Sequence, residues 1–183
     1  MVILNIGLSA WIIQDGNYGD FSVGDEARFA LEFGMVSLAV PRDTEPNLRL
    51  VRGAEYDFDG RVVLSVPEFA VLDAGILAYR DGAPNPQLST GSRVSGRLYL
   101  GIDPFFWFET HAHRAGVPNL FHRWIVRGIQ LETTPWTDDP TGRYSRVRKD
   151  DAVSFSPVSK TDAWTDDDGN AHYILIVERL GAG

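Results

Sequence analysis

The chain has 183 residues and not one cysteine. No disulfide can staple it, and no thiolate can ligate zinc or attack a substrate. Lysine is nearly missing as well. Lys149 and Lys160 are the only two, and every other strong base is an arginine. The opening run 1–13 (MVILNIGLSAWII) is apolar, but it is shorter than the ~20 residues of a spanning helix. No basic residue precedes Arg28, so the run lacks the charged flank of a secretory signal. It reads as a buried strand, and a cytoplasmic protein with no membrane segment is expected. Several motifs are also missing: G-x-S-x-G, the phosphate-binding P-loop, the dinucleotide glycine fingerprint and H-E-x-x-H.

What is present suits a globular domain. Hydrophobic residues make up 44% and charged residues 23%, enough to bury a core without disulfides. The net charge is −8. Residues 1–47 carry Asp15, Asp20, Asp25, Glu26, Glu32, Asp43 and Glu45 against only Arg28 and Arg42. Such a surface repels phosphate backbones unless the positive charge is segregated.

Strand chemistry dominates. Stretches rich in β-branched and aromatic residues, bounded by Gly, Pro, Asn and Asp, cover 2–13, 26–40, 48–58, 61–66, 68–80, 93–102, 120–134, 152–158 and 172–179. Over 26–33 the apolar Ala27, Phe29, Leu31 and Phe33 take alternate places, the period of a half-buried strand. Asp59-Gly60 has the form of a two-residue hairpin turn, and 136–142 reads as a further turn. Trp124, Val126 and Ile129 are expected in the core. One stretch, 104–115 (PFFWFETHAHRA), reads instead as a short helix. Asp103-Pro104 suits its start and Gly116 its end. Strand upon strand with one short helix predicts a mainly β fold, an antiparallel barrel or sandwich forming a single domain over 1–183.

An internal likeness gives an alternative division into two β units, about 1–70 and 71–183. Residues 11–33 and 77–100 each carry Asp-Gly, a loop, a Gly-Asp or Gly-Ser pair and then a long alternating strand. The opening Val23-Gly24-Asp25 before such a strand also occurs in OB-like small barrels. That is an analogy of fold, and it would not fix function.

Four groups of residues could carry chemistry. Glu109, His111, His113 and His122 offer a carboxylate and three imidazoles, a donor set for a divalent metal if 109–113 is extended. On a helix, His111 and His113 diverge. The aromatic run Phe105, Phe106, Trp107, Phe108 is either a stacking surface or, by the commoner use of such clusters, core. Arg143, Tyr144, Arg146 and Arg148 form a basic cluster with an interleaved aromatic, the makings of an oligonucleotide groove. Asp138, Asp139, Asp150 and Asp151 flank it and cancel part of its field. Residues 162–170 (DAWTDDDGN) have the composition of a calcium loop. With Gly169 at the loop glycine, however, Trp164 and Leu175 fall where acids belong, which favours a plain turn. Asp73, in an otherwise apolar stretch, is a candidate for a perturbed acid or for a turn hydrogen bond.

The reading these features favour is a non-enzymatic acidic binding module. Its expected partner is another protein, a basic one, and edge strands leave a homodimer open. A metal-dependent enzyme built on the histidines and an OB-like oligonucleotide binder are the alternatives.

Overall fold

The computed structural model describes residues 2–83, 85–138, 146–148 (backbone only), 153–165 and 170–181. The fold is mainly β, as expected. In chain order the elements are β1 (Ile3–Ser9), α1 (Ala10–Gln14), β2 (Glu26–Phe29), β3 (Leu31–Ala39), β4 (Asn47–Arg52), β5 (Glu55–Val66), β6 (Phe69–Asp73), β7 (Leu77–Asp81) and β8 (Arg93–Ile102). A π-helical turn at Trp107–His111 follows. Then come β9 (His122–Glu132), β10 (Trp136–Asp138), β11 (Arg146–Arg148), β12 (Phe155–Val158) and β13 (His172–Arg179).

Five strands close a barrel in the order β8, β3, β7, β6, β5 and back to β8. All neighbours are antiparallel except β3 and β7, which meet in parallel at Glu32 and Tyr79. The outer strands continue from the β3–β8 pair. β1 lies parallel to β8 at Gly7 and Gly101, β13 pairs β1, β9 pairs β13, and β2 pairs β9. Only Ala30 separates β2 from β3, so these pairings return to the barrel. Each side of the β3–β8 pair therefore has one parallel neighbour followed by antiparallel strands. The loops before β2 and before β8 follow different elements, α1 and β7, but place glycines in the same backbone region. Gly16 and Gly82 have φ of 80° and 85°, and Gly24 and Gly91 have 99° and 86°, the left-handed backbone that favours glycine. Strands β1 and β2, from the start of the chain, group with β9 and β13 from its end.

One large core runs through the strands and includes Phe29, Phe33, Phe58, Trp124, Val126, Ile129 and Leu175. A second, smaller core lies where the segment after β8 folds back on the barrel. It comprises Ala30, Phe69, Val71, Tyr79, Trp107 and Leu120.

Several expected boundaries shift, each for a physical reason. The strand expected over 2–13 ends at Ser9, where the chain turns into α1 and buries Ala10, Ile12 and Ile13. Asp59-Gly60 is no hairpin turn, because β5 runs straight through it. A Cβ on Gly60 would lie 2.7 Å from the Asp73 carbonyl oxygen, so glycine there admits the close approach of β6. The Asp59 carboxylate is buried and accepts from Ser95 Oγ (2.5 Å) and Arg42 Nε (2.9 Å). The stretch 68–80 is a hairpin, β6 and β7, and Asp73 Oδ1 accepts from the Gly75 N–H (2.9 Å) in its turn. Helix in 104–115 narrows to the turn at Trp107–His111, since Phe105 sits at φ 79° and interrupts any regular start at Pro104. Trp136–Asp138, expected within a turn, pairs with β11.

Candidate functional site

The predicted metal set does not assemble. His111 is buried, with Nε2 2.9 Å from Asp81 Oδ1 and its ring 4.3 Å from that of Phe69. His113 stands exposed, its ring edge-on to Phe108. Glu109 is exposed. His122 lies on β9 beside Trp124, with its buried Nε2 unpartnered. Burial, then the charge of Arg179, pushes its pKa down to about 4, so the ring is neutral near pH 7. Among the described residues no three His, Asp or Glu side chains converge as a metal site. The aromatic run divides. Trp107 is fully buried, while Phe106 and Phe108 are 45% and 42% exposed, because a π-helical turn sends neighbouring side chains in different directions. Of the basic cluster, Arg143 and Tyr144 lie outside the described residues. The backbone of Arg146 and Arg148 pairs with Asp138 and Trp136. Asp166, Asp168 and Gly169 of the calcium-like stretch also lie outside them.

Two polar constellations had no signal in the sequence. The first surrounds Asp103, the residue expected to cap a helix. It is completely buried at the end of β8. Its Oδ1 accepts from Tyr79 Oη (2.5 Å) and from the Trp107 N–H (3.1 Å), while Oδ2 has no partner. Tyr18 Oη donates to the Asp103 carbonyl oxygen (3.0 Å). Burial raises the Asp103 pKa. Glu32, opposite Tyr79 in the parallel pair, is pushed up to about 7 by burial and then by the charges of Asp103 and Asp81. Closed off by Trp107 and Tyr79, this group holds the second core to the barrel.

The second is a chain of three side chains across β8, β13 and β9. Tyr99 Oη lies 2.7 Å from His172 Nε2, and His172 Nδ1 lies 3.3 Å from Glu132 Oε2. Burial, then the charges of Glu132 and Glu55, raises the Tyr99 pKa, so the phenol stays protonated. A phenol held protonated and already committed to a hydrogen bond is a poor nucleophile or base. A Cβ on Gly7 would fall 1.4 Å from Tyr99 Oη, so the glycine of β1 is what makes room for this chain. The three residues line a cavity of about 180 Å³ with Arg52, Glu55 and Phe155.

A different kind of surface lies where α1 meets the loop before β13. Trp164 is 69% exposed and Trp11 41% exposed. The loop carrying Trp164 is tied down on several sides. The Gln14 side chain donates to the Ala163 carbonyl (2.8 Å), the Ala163 N–H to Asp20 Oδ1 (3.1 Å), and the Trp164 N–H to Asp162 Oδ1 (2.8 Å). Asp15 follows α1, Asp162 lies on the same loop as Trp164, and Asp20 is bonded to that loop; all three are exposed, and Lys160 lies 3.7 Å from Asp20. In sequence, Asp166, Asp167 and Asp168 follow directly.

No family model, curated protein or solved structure matches this chain. Among the described residues no helix is long and apolar enough to cross a membrane.

Proposed function

We propose that the chain is a non-catalytic binding module that docks a basic protein on the surface formed by Trp11 and Trp164. The observation that carries this reading is the exposure of Trp164 on a loop fastened by hydrogen bonds to Gln14, Asp20 and Tyr173. Large exposed aromatics on two contacting elements, bordered by polar residues, are the kind of surface that marks interaction sites. Tryptophan is the residue most enriched among energetic anchors of interfaces. Asp15 and Asp162 add negative charge beside the tryptophans, Lys160 offsets Asp20, and the chain's net charge of −8 steers cations towards this face.

The test is selection of peptides from an unbiased displayed library on the folded protein. Enrichment of Lys- and Arg-bearing peptides is expected, with affinity that falls as salt rises and is lost in Trp11→Ala/Trp164→Ala. Selected peptides without basic enrichment, or with equal affinity for the double variant, would contradict the reading.

A further inference from the structure

The chain is acidic overall, yet one cavity brings together Arg28, Arg123 and Arg179. It measures about 400 Å³, and its lining includes Arg28, Arg123, Arg179, Asn119, Phe121 and His122. Arg28 of β2 and Arg123 of β9 are direct register partners. Like charges opposite one another on a sheet are unfavourable, and nothing in strand pairing requires them here. Glu26 answers one of them, at 2.7 Å from Arg123 Nη2. Arg28 lies over the Phe121 ring, 4.9 Å from its centroid. Neither Arg28 nor Arg179 has a carboxylate partner among the described residues. Three guanidinium groups against one carboxylate leave a local excess of about two positive charges, counted at full ionisation. The Asn119 side-chain oxygen accepts from the Phe121 N–H (3.0 Å), which leaves its amide NH₂ as a further donor.

We propose that this cavity binds a phosphate-type dianion. Its charge matches the local excess, and its tetrahedral oxygens suit the forked donors of several arginines at once. A single carboxylate would neutralise only half of that excess. Nucleic acid is a poorer occupant, because the acidic surface beyond the cavity repels a long phosphate backbone. The site is independent of the tryptophan surface, since it involves different elements and the opposite charge.

The test is titration of the full chain with inorganic phosphate, followed by calorimetry and amide chemical shifts, against sodium chloride at matched ionic strength. One saturable site is expected, with shifts centred on residues 28, 119–123 and 179. Arg28→Gln/Arg179→Gln should weaken binding at least ~10-fold, the loss of about one charge-assisted hydrogen bond. Both side chains are exposed, and an unchanged melting temperature will show that the variant folds. Glu26→Gln removes the competing carboxylate and should tighten binding. Equal responses to phosphate and chloride, or unchanged binding in the folded double variant, would overturn the proposal. Glycerol phosphate run in parallel separates the two sources of the group. Binding as tight as phosphate supports a phosphomonoester, and failure to bind supports the free ion.

Discussion

Tyr79→Phe is the sharpest probe of how the second core is joined to the barrel. The substitution keeps the ring, whose centroid lies 4.8 Å from that of Trp107, and removes only the hydroxyl that donates to Asp103 Oδ1 at 2.5 Å. Asp103 has no exposed surface, and its Oδ2 already lacks a partner. Without Tyr79 Oη, the carboxyl keeps only backbone donors, the Trp107 N–H at 3.1 Å and the neighbouring N–H groups of Phe106 and Phe108. A hydrogen bond to a buried charged or strongly polarised group is worth ~1.5–3 kcal/mol. For a domain of this size that corresponds to a fall of roughly 3–12 °C in melting temperature. Urea unfolding of Tyr79→Phe, Asp103→Asn and the double variant forms a complete cycle. A coupling of at least ~1 kcal/mol between the two sites is expected. A Tyr79→Phe protein within ~0.5 kcal/mol of the parent, or purely additive effects, would refute the assignment of this bond as the tie between the cores.

Further outcomes follow from the same geometry. Gly7→Ala should destabilise the fold by ~1–3 kcal/mol through overpacking against Tyr99, and Tyr99→Ala should relieve part of that cost. Equal loss from Gly7→Ala with and without Tyr99 would contradict this when both are measured by thermal unfolding. The Glu32 pKa is raised in the folded state, so its contribution is full below ~4.5 and is lost as pH rises through about 7. Glu32→Gln should therefore gain stability relative to the parent as pH rises from 5 to 8, and a difference independent of pH would count against it. The His122 pKa is depressed, so its contribution is full above ~6.5 and fades as pH falls towards 4. His122→Phe should lose less stability than the parent between those values, and parallel pH profiles would oppose this.

The sequence was most legible where one local rule acts alone. Residues 93–102 and 172–179 coincide with β8 and β13, because alternating apolar residues between polar boundaries have no competing reading. Asp59-Gly60 misled because the same dipeptide serves two purposes. It makes tight turns, and its glycine also lets a neighbouring backbone come close, which only the packed β6 reveals. The run 104–115 hid a left-handed Phe105, a conformation its own side chain does not announce. The polar constellations were invisible for a related reason. Tyr79 and Asp103 are 24 residues apart, and Tyr99 and His172 are 73 apart, so tertiary pairing alone brings them together. His111 and His113 could be weighed as ligands from their spacing, but the partner that His111 takes, Asp81, comes from a hairpin 30 residues earlier. The exposure of Trp164 also had no signature, since a tryptophan beside acids in a turn fits a buried or an exposed site equally well.

Docking of a basic protein on Trp164 is tested by measuring one selected basic peptide against the parent chain and Trp164→Ala at low and moderate salt. Trp164→Ala should bind ~30-fold more weakly, equivalent to the ~2 kcal/mol of an interface anchor, with a steep loss with salt for both proteins. Affinity unchanged by the substitution, or indifferent to salt, would contradict it.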